Sequence, residues 1–476
     1  MKNRLLAIAM SAAVFSECFA SMPDVFSAQA ISSWGLEGDY VEYRDGADGE
    51  LGLTYYIYSD HAVLTNVDWD LSGVTIPDTV KGVPVTSITD EAFMGEQTTN
   101  ISIPSTVTDI GSSLGYLDTE FTVVFDVENQ SFKDVDGIIY NSDMTELIRC
   151  IPTADLKEVT IPDTVKKIDE KAFNNCEKIK NVNLPASVQD IGDDAFNNCS
   201  SLESIDVNGD NKEYCSIDGV LFDKNMEILY QYPIGSSESS YTIPDNVSLI
   251  NSGAFLNSDN LESVRFNKEV QTIGSYAFFN CDKLNNVVLP DSVAEIGYYA
   301  FAQCESLKDI VFSENIIKAD GDIITDSPWF DEQPDGIVYI GKVLYKVKGR
   351  LPENSDVTVK EGTVSICNSA FCTEDGEYGK NTEGDKKLIS VKLPESIRYI
   401  NREAFKGCIN LKEINLPDSI SEIGISAFEG CSALKEVHIP TSLVSVDYSA
   451  FALCSSLEEV VLPENVETVN SSAFAD

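Results

Sequence analysis

Cysteine is the residue type whose spacing in this sequence could do chemistry. Seven of the twelve cysteines recur at one position of a 23-residue repeat: Cys176, Cys199, Cys281, Cys304, Cys408, Cys431 and Cys454. Thiols form disulfides, bind zinc or act as nucleophiles, and a secreted chain with twelve cysteines ordinarily carries a disulfide framework. The period argues against that role here. Equivalent side chains in stacked coils would point inward about 4.8 Å apart, slightly too far for relaxed disulfides.

We therefore predict a buried ladder of thiols, in which cysteine acts as a small apolar residue. Disulfides between neighbouring coils are the alternative. Zinc is a further one, although single cysteines 23 residues apart and two histidines do not make a tetrahedral ligand set. The remaining candidates for redox or metal chemistry fall outside the ladder: Cys150, Cys215, Cys367 and Cys372. We predict no metal and no cofactor.

The two histidines give little support to acid–base or nucleophilic catalysis. His61 lies near the N-terminus, and His438 occupies an outward strand position that holds Thr, Asn, Arg, Val or Lys in other copies of the repeat. A catalytic base needs a fixed place beside its nucleophile, so a position this variable is typical of a surface. Carboxylate pairs stay open as catalytic groups, because 78 acidic residues guarantee some neighbours. We predict that the protein is not an enzyme.

One segment resembles the opening of a calcium-binding loop. It is DVNGDNKEY, residues 206–214. Asn211 replaces the glycine that such a loop needs for its sharp turn, and the twelfth position is Ile217, which cannot coordinate a cation. We interpret the segment as a turn within the repeat.

Charge and the N-terminus restrict the class of protein. The net charge is −45, with 78 acidic and 33 basic residues. Because this charge repels phosphate backbones, we predict no nucleic-acid binding. Lys2 and Arg4 precede an apolar run at 5–15, and AQA at 28–30 is a cleavage pattern. The run is too short to span a bilayer. We predict a signal peptide cleaved after Ala30, no membrane insertion of the mature chain, and a secreted or cell-surface location.

The elements that position these residues follow from the repeat. Uninterrupted 23-residue copies begin at Leu156, Ile179, Leu261, Leu284, Leu388, Leu411 and Leu434, and another begins at Leu457. In LKEINLP (411–417), apolar and polar residues alternate as in a strand, which Pro417 ends. A second short extended piece and a turn carrying Ala427-Phe428 follow. One unit cannot bury its apolar face alone, so the units must stack as a solenoid.

The copy LKEINLPDSISEIGISAFEGCSA resembles the BspA-like leucine-rich repeat, whose consensus is LxxIxLPxSVxxIGxxAFxxC. The resemblance extends over residues 71–476. It implies a β-rich leucine-rich repeat solenoid of the α/β class, with 23-residue coils, parallel strands and short helical turns. It also implies a bacterial surface protein that functions in adhesion or attachment.

Departures from the period suggest the domain organisation. We predict a signal peptide at 1–30, an N-terminal β cap at 31–70 and the solenoid at 71–476. Inserted hairpins are expected near 126–155, 206–238 and 313–354, protruding from their coils. The acidic insert at 373–387 contains glycine and lacks an apolar anchor, so we expect it to be mobile and exposed.

Positions that vary between copies are the candidates for partner binding. On the outward strand face and the hairpins they are Arg265, Lys392, Asn415, His438, Trp329, Phe330, Tyr339 and Tyr345, together with Tyr230 and Tyr232. Solenoid strand faces commonly bind proteins, and aromatic residues are frequent binding anchors. The leading hypothesis is a monomeric, rod-like scaffold that binds a protein or glycan ligand at the cell surface.

Two alternatives stay open. The copy that begins at Leu457 breaks off at Asp476, which leaves room for an anchoring or docking domain. The chain would then be a repeat module of a larger secreted polysaccharide-degrading assembly, similar to a cellulosome. A solenoid polysaccharide lyase is the second alternative. It requires three or more outward charged side chains within about 5 Å of one another in a cleft.

Overall fold

The computed structural model describes residues 40–45, 52–68, 71–94, 98–117, 121–372 and 384–475. The chain divides into two compact units: unit 1 comprises Met1–Lys224 and Pro233–Ser236, and unit 2 comprises Asn225–Tyr232 and Ser237–Asp476. The predicted signal peptide and its cleavage site after Ala30 lie outside the described residues. In the described part of the chain, no helix combines the length and apolarity needed to cross a bilayer.

Short strands make up both units. Those of unit 1 are β1 Val41–Asp45, β2 Leu53–Ile57, β3 Ala62–Val67, β4 Gly73–Thr75, β5 Thr79–Val80, β6 Val83–Ile88, β7 Asn100–Ile103, β8 Thr122–Phe125, β9 Phe132–Val135, β10 Ile138–Asn141, β11 Glu146–Cys150, β12 Glu158–Thr160, β13 Lys167–Ile168, β14 Asn181–Leu184, β15 Asp190–Ile191, β16 Ser204–Val207, β17 Tyr214–Ile217 and β18 Val220–Asp223. A short 3-10 helix, Ser113–Tyr116, follows β7.

Unit 2 continues the same pattern. Its strands are β19 Ile228–Gln231, β20 Ser240–Thr242, β21 Leu249–Ile250, β22 Ser263–Arg265, β23 Thr272–Ile273, β24 Asn286–Val288, β25 Glu295–Ile296, β26 Asp309–Val311, β27 Lys318–Ala319, β28 Gly336–Ile340, β29 Val343–Lys348, β30 Ser355–Thr358, β31 Ser365–Ile366, β32 Leu388–Lys392, β33 Tyr399–Ile400, β34 Glu413–Ile414, β35 Glu422–Ile423, β36 Glu436–His438, β37 Ser445–Val446, β38 Glu459–Val461 and β39 Thr468–Val469. One helical turn, α1, spans Pro328–Asp331.

Each coil contributes one strand to each of two parallel columns. The strands of column one include β12-β14-β16 in unit 1, and β20-β22-β24-β26, β30-β32-β34 and β36-β38 in unit 2. The strands of column two include β11-β13-β15 in unit 1, and β19-β21-β23-β25-β27 and β29-β31-β33-β35 in unit 2. Residues one repeat apart lie opposite each other, as Val264 and Val287 do in column one and Ile273 and Ile296 in column two. These apolar side chains point inward because strand residues alternate between the two faces.

The Ala-Phe turns form a third column. The backbone N of Phe278 donates to the carbonyl of Ala300 at 2.8 Å, and Phe428 N donates to Ala450 O at the same distance. The phenylalanine rings stack in register inside the coils, with 5.1 Å between the centroids of Phe278 and Phe301 and an interplanar angle of 2°. Coil-to-coil hydrogen bonds therefore close all three sides of the repeat. The solenoid that the period predicts, and that the resemblance identifies as a leucine-rich repeat solenoid, is confirmed.

The predicted β cap at the N-terminus is a small mixed sheet. Its antiparallel strands are β1, β2 and β3, and β3 pairs in parallel with β6, which belongs to the first coils. Tyr55, Val63 and Leu64 on this sheet are buried. Because β3 is hydrogen-bonded on both edges, the sheet covers the open edge that the first coil would otherwise expose.

The sequence predicts hairpins that protrude from their coils. In the structure, the hairpins do not protrude. Strands β10 and β11 are antiparallel, but β11 also pairs in parallel with β13, so it is the column-two strand of its coil. The hairpin β28–β29 is joined in the same way through β31. Residues on these strands, such as Ile139 and Leu344, are buried. The hairpins are therefore parts of the core.

The acidic insert differs from its prediction where it is described. Residues 373–383 lie outside the described residues, whereas Gly384 and Asp385 are buried rather than exposed. The Asp385 carboxylate accepts hydrogen bonds from Leu351 N at 3.1 Å and Lys387 N at 2.8 Å. A polar anchor therefore holds this end of the insert, although no apolar residue does.

Two residues with left-handed backbone flank the Ala-Phe pair in most coils. The first precedes alanine, as Lys171 does, and the second precedes the cysteine position, as Asn175 does. Asparagine and glycine frequently occupy the second position because they adopt this conformation at low cost. Leu453 is an exception: its φ is 57°, and its side chain is 52% exposed.

Replacing Leu453 with asparagine should therefore stabilise the protein. We expect Leu453→Asn to raise the free energy of unfolding by about 0.5–1 kcal/mol, since the substitution relieves backbone strain and removes little buried surface. Urea denaturation followed by circular dichroism measures the change. Val444→Asn is the control, because Val444 is equally exposed and has no left-handed backbone. An equal gain in both variants would contradict the argument.

Candidate functional site

All seven ladder cysteines are buried. Their thiols are hydrogen-bond donors as well as apolar filling, because each points at a backbone carbonyl of the preceding coil. Cys281 Sγ lies 3.1 Å from Phe255 O, and Cys304 Sγ lies 3.1 Å from Phe278 O. Cys199, Cys408, Cys431 and Cys454 make the same contact with the phenylalanine of the coil before them, and Cys176 contacts Cys150 O.

This geometry does not give most of the ladder thiols reactive chemistry. Cys176 differs, because its hydrogen bond with Cys150 lowers the pKa of its thiol. Burial raises the pKa of the Cys304 thiol to about 12 and raises that of Cys281 well above its ordinary value. A thiol with a raised pKa is a poor nucleophile and a poor metal ligand near neutral pH. No disulfide joins the cysteines that the structure describes. Within the same residues, no group of three or more His, Cys, Asp or Glu side chains is placed to hold a metal ion.

Cys215 should react with a thiol reagent more readily than the ladder cysteines do. Cys215 lies on β17, is only partly buried, and donates to Asp223 O at 3.2 Å. We expect iodoacetamide at pH 8 to label Cys215 in the native protein while the ladder cysteines stay unlabelled, as quantified by peptide mass spectrometry. Unfolding in urea without reductant should then expose the ladder thiols. Labelling that requires a reductant would show that the ladder is oxidised, contrary to the structure.

Ser258 occupies the cysteine position of one coil and lacks its contact. It is buried, and its Oγ has no hydrogen-bond partner among the described residues. The carbonyl of Tyr232, which corresponds to the phenylalanine acceptor of the other coils, accepts instead from Gln231 Nε2 at 2.9 Å. A buried hydroxyl without a partner lowers stability because its loss of water is not compensated.

Removing that hydroxyl should therefore stabilise the fold. We expect Ser258→Ala to raise the free energy of unfolding by about 1 kcal/mol. In the control, Ser292→Ala, the free energy should fall by a similar amount, because Ser292 Oγ donates to Val270 O at 2.7 Å. Urea denaturation of both variants tests the opposite signs. A loss of stability in Ser258→Ala would contradict the argument.

Several predicted aromatic anchors are not on the surface. Phe330 and Tyr345 are 4% and 1% exposed, and Tyr232 is 3% exposed. A partner cannot reach these side chains, because the hairpin that carries Tyr345 is integrated into the coil. Trp329 is half-buried against Phe312, with 5.1 Å between ring centroids. Tyr339 and Tyr230 are also half-buried, so these three keep some contact with solvent.

The four outward candidates lie at equivalent positions of different coils. Arg265, Lys392, Asn415 and His438 are all exposed. The side chain of Asn415 has a structural role. Its Oδ1 accepts a hydrogen bond from Leu393 N at 2.7 Å, and its Nδ2 donates one to Leu393 O at 3.0 Å. His438 Nε2 lies 3.3 Å from Glu436 Oε1 in an exposed pair, which contributes little energy.

The segment that resembled a calcium loop is a structural turn. Asn211 Nδ2 donates to Pro185 O and Val188 O at 3.0 and 2.9 Å, and its Oδ1 accepts from Glu213 N and Tyr214 N at 2.9 and 2.8 Å. One buried amide thereby ties the turn to the preceding coil. The interpretation as a turn within the repeat is confirmed.

Charged side chains meet on the outside of unit 1, as the lyase alternative requires. Lys167 Nζ lies 2.7 Å from Glu146 Oε1 and 3.1 Å from Asp169 Oδ1. Burial raises the pKa of Asp169, and Lys167 opposes that shift. Lys167 is close to both carboxylates, but its pair with Glu146 bridges neighbouring coils and its pair with Asp169 lies within one coil. These three residues line neither the cleft over column one of unit 2 nor the cleft beside its column two.

A cleft of about 560 Å³ lies over column one of unit 2. Arg265 on β22 lies at its centre, between Thr242 of β20 and Val288 of β24. Val288 is 57% exposed, and the half-buried side chains of Tyr241 and Phe266 also line the cleft. Arg265 is recognisable from the sequence as an outward residue, whereas the apolar residues around it are not, because their repeat positions are ordinarily structural.

Stacked 23-residue coils with two parallel strand columns and an Ala-Phe turn define a leucine-rich repeat solenoid. The BspA-type leucine-rich repeat family model matches six copies in the chain, at residues 68–117, 150–230, 234–327 and 380–476. The chain belongs to this family. No curated protein matches it significantly.

Solved structures with a similar fold come from several bacteria. A leucine-rich repeat protein from Eubacterium ventriosum is 21% identical over 83% of this chain and 95% of its own, with a TM-score of 0.42. A leucine-rich cell surface protein from Faecalibacterium prausnitzii is 24% identical over 92% and 93%, with a TM-score of 0.30. The pneumococcal vaccine antigen PcpA is 18% identical over 92% and 94%, with a TM-score of 0.32.

Proposed function

We propose that the protein is a non-enzymatic, exported scaffold that binds a protein or glycan ligand at the cell surface and functions in attachment. The observation that carries the proposal is the cleft around Arg265 on the outward face of column one. Family membership and the N-terminal signal pattern are consistent with this role.

The chemistry of the cleft suggests what its ligand presents. Arg265 makes no ion pair with a described residue, although the chain carries a net charge of −45. An exposed guanidinium binds carboxylate or sulfate groups through two parallel hydrogen bonds. Val288 and the ring of Phe266 offer an apolar surface beside it. We therefore expect a ligand that carries an acidic group next to an apolar or ring-shaped one.

The strand face suits this role because it is preformed. The backbones of β20, β22 and β24 are hydrogen-bonded in register, so little ordering is required when a ligand binds. Lys392 and His438 extend the set of outward candidates along column one, and the half-buried rings of Trp329 and Tyr339 are secondary candidates. Phe330 and Tyr345 are not candidates for ligand binding, because their side chains are buried.

Reversing the charge at Arg265 should weaken ligand binding. We expect Arg265→Glu to raise the Kd at least tenfold, which corresponds to about 1.4 kcal/mol, because the acidic group would meet a like charge. Labelled protein is tested against immobilised matrix proteins, bacterial cells and a glycan array. Lys268→Glu is the control, since Lys268 is 90% exposed and lies in the turn that follows β22. Absence of any ligand, or equal losses in both variants, would contradict the proposal.

A further inference from the structure

A second cleft lies on another face of unit 2, beside column two. Its volume is about 250 Å³, and β21, β23, β25 and β27 run along it. The floor is made of small residues, including Ser252, Ser275 and Gly297. Glu295, Lys318 and Asp320 form its charged wall. None of these residues lines the column-one cleft that contains Arg265.

The floor is shallow because the coils approach closely at this point. A Cβ atom on Gly297 would lie 2.5 Å from Ser275 N, so no side chain fits there. Ser275 Oγ accepts a hydrogen bond from Tyr298 N at 3.1 Å, which fixes the turn above the floor. The cleft is therefore a rigid feature of the backbone.

Acceptor and donor groups meet at the charged wall. Glu295 and Lys318 occupy paired positions of β25 and β27, and Asp320 follows β27 directly. Asp320 is partly buried, yet its carboxylate accepts no hydrogen bond from a described residue. Burial raises the pKa of Asp320, Glu295 raises it further, and Lys318 opposes the shift. The wall thus offers carboxylate acceptors beside an ammonium donor.

Aromatic rings lie next to the cleft, although none of them is among the residues that line it. Tyr276, Phe279, Tyr298 and Tyr299 form one half-buried patch, with 5.5 Å between the centroids of Tyr276 and Phe279 and 5.5 Å between those of Tyr276 and Tyr299. The patch adjoins the charged wall, because a Cβ on Gly321 would lie 3.1 Å from the Tyr298 ring and Gly321 follows Asp320.

The repeat does not require these aromatic residues. The position of Tyr276 and Tyr299 holds Asp194, Gly253 or Ser426 in other coils. Both tyrosines have left-handed backbone, with φ values of 56° and 51°. The left-handed conformation itself belongs to the repeat, as it does at Lys171, but a bulky residue adopts it at a higher cost than glycine does. The aromatic patch therefore fits a binding role better than a role in the fold.

We propose that this cleft binds a neutral sugar ring. The ring would stack on the exposed edge of the aromatic patch at Tyr298, its hydroxyl groups would donate to Asp320 and Glu295, and a sugar oxygen would accept from Lys318. Drug-sized ligands occupy pockets of about 300–1,000 Å³, so a cleft of 250 Å³ suits one or two rings. A basic peptide side chain is disfavoured because it would meet Lys318.

Binding of soluble oligosaccharides tests the proposal. The probes are tetrasaccharides of glucose, mannose, galactose and N-acetylglucosamine, titrated into the full chain by isothermal calorimetry. We expect at least one to bind. Tyr298→Ala and Asp320→Asn should each raise its Kd at least tenfold, whereas Tyr298→Phe, which keeps the ring, should stay within about threefold of the original protein. Thermal unfolding by circular dichroism verifies that each variant is folded.

The chain supplies matched controls in its last coils. Tyr448 and Asp447 occupy the positions of Tyr298 and Asp320 in the repeat, away from the cleft. Tyr448→Ala and Asp447→Asn should leave oligosaccharide binding unchanged. The proposal is overturned if no tetrasaccharide binds, if the controls lose as much affinity as the cleft variants, or if a lysine-rich peptide binds instead in an Asp320-dependent way.

The site is separate from the one in the proposed function, so the two can fail independently. Arg265→Glu should not change oligosaccharide binding. If that variant abolishes it while Asp320→Asn has no effect, the sugar binds over column one, and the inference about column two is wrong while the proposed function stands. If Asp320→Asn abolishes oligosaccharide binding and no ligand depends on Arg265, the inference about column two stands and the proposed function is wrong.

Discussion

Register between neighbouring coils is the constraint on which the rest of this structure depends. Backbone hydrogen bonds join successive coils in three columns, and each column requires an offset of one repeat. Val264 lies opposite Val287, Ile273 lies opposite Ile296, and Phe278 N donates to Ala300 O. A single strand of two or three residues contributes little on its own. The columns make the strands cooperative, because shifting one residue would expose the apolar face of the whole coil.

The same constraint explains why so many polar groups in the repeat have structural roles. The turn carbonyls cannot reach water once the coils stack, so side chains must satisfy them. Cysteine thiols do this at the Ala-Phe turn, and Asn211 does it beside Pro185. Asn415 uses both amide atoms for the same purpose, although its position faces outward. Variation between copies is therefore a weaker guide to function than it first appears.

The two surfaces proposed to bind ligands lie where side chains are released from these duties. The coils between Tyr241 and Asp320 carry two such surfaces on a rigid backbone. Over column one, Arg265 lies among apolar neighbours, and beside column two, carboxylates adjoin a patch of tyrosines. The charges differ because each face presents a different position of the repeat. One repeat can in this way display two unrelated chemistries without a change in its core.

The sequence by itself determined the fold class, because a 23-residue period of apolar residues has one way to bury its core. It also determined that DVNGDNKEY is a turn and that the ladder position is an inward one. Burial of Phe330 and Tyr345 was decided only by the tertiary structure, since the sequence of a hairpin is the same whether it protrudes or pairs with the next coil. Tertiary structure alone also placed the Tyr298 ring beside Gly321, because this proximity depends on how closely two coils approach each other.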